Sequence, residues 1–352
     1  MNTLFPTRRR RQTTFTLVGL AFLLMVVVGF RMCVGSRLGW PGGRLDQAFW
    51  RLLVAGWWEG VGFDSVLDIR LNRVALAVLA GSSLATGGVA LQALLRNPLA
   101  EPFILGLSSG AGVGVMAQMW AAHRWGFLLG HHHLGALLGA SVSMLIVYVA
   151  GQRRGVIDPL GLLLVGVVLG TLNGAVMVLM NHLSGSVELR NDLARWMMGY
   201  LNEDLMGTPA VLVTAAITGV GLVVLWRLGP AMDVASFSDA EAASLGVNMR
   251  RLRGVLFVAA SVLAAEAVVL AGPIAFVGLV CPHAVRLLLG PVHRPLVLGS
   301  AMVGAGLILL ADAAAVGLDF GQGLLPLGVF TSVLGGPVFV WMLRPQLGRA
   351  MN

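Results

Sequence analysis

Two carboxylates stand where a carboxylate is expensive. Glu266 lies in the run SVLAAEAVVLAG and Asp312 in LILLADAAA, each flanked on both sides by apolar residues. An ionisable group in hydrocarbon faces a bundle interior or a water-filled cavity, and it often marks an ion or proton path. Proton coupling is the chemistry this pair offers. The plainer alternative has Asp312 hydrogen-bonding between helices and Glu266 partly hydrated near an interface. The run His131, His132, His133, with His123 nearby, offers imidazoles to a metal ion. Adjacent residues on one element point in different directions, and no Cys or acidic residue lies close, so an exposed outer loop without a metal is the expected setting. Cys33 and Cys281 occupy apolar stretches far apart in sequence and are expected as buried free thiols. All 24 basic residues are arginine, with no lysine anywhere in the chain. That excludes a P-loop phosphate site and Schiff-base chemistry. No Ser/His pair or facing set of metal ligands supports catalysis. The chain is not expected to be an enzyme, and neither a cofactor nor a resident metal is expected.

The elements that must position these residues are membrane helices. Of 352 residues, 57% are hydrophobic and 11% charged, and the mean hydropathy is +0.85. A soluble domain runs nearer one quarter charged, so most of this chain does not face water. The 47 glycines let helices approach closely in lipid, which argues for a bundle rather than one anchor. The arginines sit singly or in short groups between apolar runs, a pattern that fits anionic lipid and helix orientation and not nucleic acid.

The N-terminal MNTLFPTRRRR precedes an apolar run from Phe15 to Val34. Its length and the lack of a small-x-small cleavage site make it a first membrane helix and not a signal peptide. An outer-side segment over 35–68 carries Trp40, Trp50, Trp57 and Trp58, suited to an interface. Further apolar segments fall near 70–95, 105–121, 134–151, 159–181, 210–226, 254–271, 274–290, 296–316 and 326–343. That predicts an all-α polytopic protein of ten helices in one bundle, or nine if the segment interrupted by Pro282 merges with its neighbour. With ten, both termini are cytoplasmic. Fifteen of the 24 arginines then lie inside, as the positive-inside rule requires: Arg8 to Arg11, Arg96, Arg153, Arg154, Arg227, Arg250, Arg251, Arg253, Arg286, Arg294, Arg344 and Arg349. Residues 1–352 form one transmembrane domain, with a cytoplasmic segment at 1–14 and a cytoplasmic connector at 233–253.

Three stretches carry more than hydropathy: RLNRVALAVLAGSSLATGGVALQALLRNPLAEPFILGLSSGAGVG from Arg70, SDAEAASLGVNMRRLR from Ser238, and AGPIAFVGLVCPHAVRLLLG from Ala271 continuing through LLADAAA to LPLGVFTSVLGGPVFVWML. Together they resemble the FecCD-type permeases, membrane subunits that import iron-siderophores, heme and vitamin B12. The resemblance implies a multi-pass inner-membrane subunit, homodimeric or paired with a close relative around a central pathway. It also implies two ATP-binding cassette ATPase subunits beneath and an extracytoplasmic substrate-binding protein above.

The connector reads as a short amphipathic helix, with Ser238 as N-cap, Asp239 and Glu241 in the first turn, and Leu245 and Gly246 as a stop. The resemblance makes Ser238, Asp239, Ala240, Glu241, Ala242, Ala243, Ser244, Leu245 and Gly246 the coupling helix that meets the ATPase. Ser238 replaces the family's common Gly. Arg70 and Arg73, three apart, share one helical face. By resemblance they dock the binding protein, and interfacial anchoring is the other reading. Asn72 replaces the usual Pro between them and Val316 a further outer-side Arg, so docking is expected to use fewer charge pairs or others such as Arg190 and Arg195. In RNPLAEP, Pro98 and Pro102 stop the helix and Asn97 caps freed backbone groups. The resemblance makes Asn97 and Leu99 candidates for a cytoplasmic gate, against a purely structural turn. Nothing carries over to Val156–Pro159. The expected cargo is a ferric siderophore or heme, with cobalamin next. An ion-coupled secondary transporter depending on Glu266 or Asp312 is the alternative from another class.

Overall fold

Apolar runs that cannot leave backbone groups unpaired in hydrocarbon become helices, because a helix satisfies its own amides and carbonyls. The computed structural model describes residues 7–34, 63–125, 133–153, 155–184, 196–201, 209–318 and 325–350. Among these residues there are eleven α-helices: α1 (Thr7–Cys33), α2 (Phe63–Leu95), α3 (Leu107–Trp125), α4 (His133–Ala150), α5 (Pro159–Ser184), α6 (Pro209–Ala235), α7 (Asp239–Ser244), α8 (Met249–Ala271), α9 (Val277–Leu289), α10 (His293–Gly317) and α11 (Leu327–Ala350). A 3-10 turn at Pro102–Leu105 and a two-stranded hairpin, Gln152–Arg153 with Val156–Ile157, complete the described secondary structure. Every apolar segment read from the sequence falls on a helix. Six helices, α1, α2, α5, α6, α8 and α10, are long and apolar enough to cross a membrane, and α4, α9 and α11 hold shorter apolar stretches. Of the outer-side segment 35–68, residues 35–62 with Trp40, Trp50, Trp57 and Trp58 lie outside the described residues, as do His131, His132, Arg190 and Arg195, while 63–68 form the start of α2.

The bundle is built around α2, whose apolar window is 83% buried against 6% for α1 at the periphery. Leu76, Ala77, Ala80, Leu270, Ile274 and Ile308 pack around the first half of α2, and Leu91, Leu94, Leu225, Phe257, Val285 and Leu296 around its second half. Glycine sets the closest approach. A Cβ at Gly81 of α2 would lie 2.2 Å from the Gly304 carbonyl oxygen of α10, and one at Gly304 would lie 2.3 Å from the Gly81 oxygen. The two backbones touch, which maximises dispersion contact where lipid supplies no hydrophobic drive.

The sequence reading took the 274–290 segment as interrupted by Pro282 and left open whether it merges with its neighbour. It stays a separate helix, and Pro282 does not interrupt it. The break comes earlier, at Gly272 (φ +66°) and Phe276 (φ +71°), and α9 runs unbroken through Pro282. Proline withholds an N–H from the carbonyl four residues back, that of Gly278. The Gln92 side chain of α2 fills this vacancy, with Nε2 donating to the Gly278 oxygen at 3.3 Å. Both cysteines are free thiols, with Cys281 buried and Cys33 half-buried.

Gly81→Ala is expected to cost about 1–3 kcal/mol by overpacking, whereas Gly170→Ala on α5, where a Cβ meets nothing within 4 Å, is expected to be nearly neutral. Thermal unfolding in detergent compares the two. Equal melting temperatures would show that α2 and α10 are not in backbone contact.

Candidate functional site

The connector after α6 forms a helix fixed at both ends by its own residues. Ser238 (φ −74°, ψ 160°) accepts from the Glu241 amide at 3.2 Å, and Glu241 Oε2 accepts from the Ser238 amide at 2.9 Å, a complete capping box. The Ser238 hydroxyl also donates to Glu241 at 2.6 Å. These bonds, the hydroxyl's first, pull the Glu241 carboxyl below its ordinary range. At the other end Gly246 takes φ +84°, its amide donating to Ala243 O at 2.9 Å while Val247 donates to Ala242 O at 3.0 Å. This is a Schellman closure, which explains why glycine stands there. Within α7 only Ala242 is buried, so Ala240, Glu241, Ala243 and Ser244 are presented outward, and Leu245 beyond them is 66% exposed.

Asp239, in the first turn, is half exposed and accepts from two arginines. Arg96 Nη2 meets Oδ1, and Arg253 Nη2 meets both oxygens at 3.1 and 3.0 Å. Arg96 also donates Nε to the Ala235 carbonyl at 2.8 Å, closing the end of α6, and Arg253 Nη1 reaches the Ile157 carbonyl at 3.5 Å. The composition of the connector does not betray this cluster, because its members lie 14 and 143 residues apart.

Arg96 opens the Arg96–Pro102 loop at φ +47°. Asn97 Oδ1 accepts from the Leu99 amide at 2.9 Å, the capping role read from the sequence, and Leu99 is 38% exposed. Beyond Leu99 the chain turns back into the bundle. Pro102 packs beside Gly278, and Gly106 lies against Gly166 and Gly170 of α5. Those glycines sit seven to eleven residues inside α5, which places the turn roughly 10–16 Å below the start of that helix at 1.5 Å per residue. Glu101, absent from the candidates, is the anchor: its Oε1 accepts from the Phe276 amide at the N-terminus of α9. A carboxylate is favoured there by the helix dipole and by unpaired amides. An acidic residue between two prolines was the available signal. Next to the loop a cleft of about 470 Å³ is lined by Gln92, Arg96, Asp233, Phe237, Arg286 and His293. Arg286 donates to Gln92 at 2.9 Å, and the His293 amide donates to Asp233 at 2.9 Å.

At the other end of α2 the two arginines divide. Arg70 is half-buried and donates to the Met32 carbonyl at 2.8 Å. Arg73 turns inward, 8% exposed, with Nη2 2.9 Å from Asp312 Oδ1. Arg31 of α1, 2% exposed, meets the other oxygen of Asp312 and the Val34 carbonyl. Asp312 thus binds α1, α2 and α10 together, the interhelical role anticipated for it. Val316, one turn on, is buried with Val34 and Ala313. Glu266 departs from the expectation of partial hydration. It is 5% exposed, and hydroxyls stand in for water: Thr218 Oγ1 donates at 2.8 Å and Ser83 Oγ at 3.3 Å. Among the described residues no group of three His, Cys, Asp or Glu side chains is placed to hold a metal ion.

A helical bundle with a loop turned back between its helices and a short helix capped at both ends is the build of a membrane permease. The chain belongs to the FecCD transport family, whose model matches residues 13–345. The chain is 35% identical over 343 residues to the vitamin B12 import system permease protein BtuC of Yersinia enterocolitica, covering 96% of this chain and 94% of that one. Its counterpart from Citrobacter koseri is 34% identical over 341 residues, with 96% and 97% covered. Among solved structures, an inward-facing ABC transporter assigned to the metal-chelate type superposes with a TM-score of 0.78 at 26% identity, over 94% of this chain and 99% of that one. PsaBC from Streptococcus pneumoniae, at TM-score 0.50 and 16% identity over 85% and 95%, shares the fold. The protein is the permease subunit of an ABC importer in the inner membrane.

Asp312→Asn is expected to destabilise the fold by about 3–5 kcal/mol, because two buried guanidiniums lose their counter-ion. Thermal unfolding in detergent reads this, and a change below 1 kcal/mol would show that Arg31 and Arg73 are otherwise compensated.

Proposed function

We propose that this subunit passes a bulky metal chelate across the inner membrane by alternating access, driven by separate ATPase subunits that seat on α7. The observation that carries this reading is α7 itself. A six-residue helix capped at both ends, with one buried residue and an exposed Leu245 at its tip, is a preformed knob for a partner's groove. In this reading residues 238–246 couple to the ATPase. Two copies, or one copy and a close relative, enclose the pathway, and Asn97 and Leu99 close its cytoplasmic mouth. ATP-driven switching between outward-open and inward-open states then needs no catalysis in this chain, only a difference in partner affinity for the two states.

The relatives named for vitamin B12 import and the solved relative of metal-chelate type support the substrate class, since cobalamin is itself a cobalt chelate. A ferric siderophore or heme belongs to the same class. Both carboxylates have a structural role that needs no ion coupling: Asp312 is paired with two guanidiniums across three helices, and Glu266 accepts from hydroxyls of two neighbouring helices.

Docking of the binding protein is proposed to rest on Arg70, with Arg73 acting from behind through Asp312. Arg70→Glu is expected to weaken binding-protein affinity several-fold at low ionic strength and less at high salt, as surface charge pairs do. An affinity unchanged at low salt would move docking to other outer residues.

The function itself is tested in proteoliposomes holding the permease, its ATPase and its binding protein, offered cobalamin, a ferric siderophore and heme in parallel. The expected result is uptake of one of them that stops when the ATPase is omitted, and that also stops when a bulky thiol reagent modifies Leu99→Cys. Uptake persisting without ATPase on an ion gradient would sink the importer reading.

A further inference from the structure

The carboxylate of Asp239 stands where three cytoplasmic elements of the bundle come together. Through Arg96 it holds the Arg96–Pro102 loop, and through Arg253 it holds the start of α8. The same Arg253 guanidinium reaches the Ile157 carbonyl at 3.5 Å, tying in the Gln152–Ile157 hairpin between α4 and α5. Arg96 is itself clasped twice, by Asp239 and by the Ala235 carbonyl at 2.8 Å, and it holds a left-handed backbone (φ +47°) that an arginine rarely adopts unsupported. The loop it opens carries Asn97 and Leu99 and ends on Glu101, which is bonded to the N-terminus of α9.

Resting on the importer reading above, we propose that Asp239 is the junction through which a displacement of α7 reaches both cytoplasmic connectors of the bundle, the Arg96–Pro102 loop and the Gln152–Ile157 hairpin. The direct attachment of α7 to the bundle is small, since Ala242 is its one buried side chain. A partner pushing on α7 acts on α6 and α8 through the short connections at its ends, and on the Arg96–Pro102 loop and the hairpin through the Asp239 side chain. Two guanidiniums on one carboxylate transmit a pull in two directions, one toward α2 and the turn beside α9, the other toward α8 and the hairpin. Asp239 is a positioning residue here and touches no cargo. Because the pairs are exposed to water they are individually weak, so the cluster can break and reform during a cycle without unfolding the protein.

A carboxylate in a helix's first turn also stabilises that helix through the dipole, and the test must separate this role from transmission. Arg96 and Arg253 are not on α7, so their variants leave its capping intact. In proteoliposomes with the ATPase and binding protein, the readout is the ratio of substrate imported to ATP hydrolysed, with co-purification of the ATPase recorded alongside. Asp239→Asn and Arg96→Gln are each expected to lower that ratio about tenfold, within the usual range of inter-site coupling. The double variant should be no worse than either single one, and Asp239→Glu should restore part of the ratio. Arg253→Gln should lower the ratio as well, with the ATPase still co-purifying. Wild-type ratios in Arg96→Gln and Arg253→Gln would overturn the junction while leaving the importer intact, as would a double variant whose losses simply multiply. A wild-type complex without ATP-dependent uptake would overturn the importer reading and the junction with it.

Discussion

Hydrocarbon offers no hydrogen bond, so every polar group this chain carries into the membrane must find its partner within the chain. The consequences run through the bundle. Asp312 is bearable because Arg31 and Arg73 surround it, and Glu266 because Thr218 and Ser83 reach it. The carbonyl freed by Pro282 is taken up by Gln92, and the unpaired amide at the head of α9 by Glu101. Each of these contacts joins a helix to another helix or, at Glu101, to the Arg96–Pro102 loop, so satisfying these polar groups also holds the bundle together. The glycine contacts between α2 and α10 do the rest by bringing backbones into dispersion range.

Where the chain returns to water the physics changes. Ion pairs at the cytoplasmic face are half exposed and individually weak, yet they fix directions. The capping box and the Schellman closure fix both ends of α7 without burying it. Inside the bundle the buried carboxylates are paired and the glycine contacts are close, while the first turn of α7 is held by exposed ion pairs.

The two ends of α2 show how one helix serves both regimes. At its outer end Arg73 is withdrawn into the Asp312 cluster, and Arg70 remains at the rim against the last carbonyls of α1, where a cation is favoured. At its cytoplasmic end Arg96 leaves the helix in a left-handed turn and reaches sideways to α7. Since α2 is also the most buried helix, anything that shifts it is felt by most of its neighbours.

Much of this was written locally and was therefore legible. Apolar runs of helical length predicted the helices, and Ser238, Glu241 and Gly246 announced α7 with both of its ends, because capping depends on residues three or four apart. Family membership was legible as well, since it rests on whole motifs. Tertiary structure alone decided the partners. Spacing put Arg70 and Arg73 on one face but could not say that Arg73 turns inward, because its partner Asp312 is 239 residues away, and Arg31, which shares that carboxylate, is 281 residues from it. Glu101 passed unnoticed for the same reason, its amide partner lying 175 residues on, and Pro282 was read as an interruption because Gln92 stands 186 residues before Gly278, whose freed carbonyl it serves. A sequence determines what each group needs, a donor, an acceptor or a counter-charge, and only the packing of distant helices decides which group supplies it.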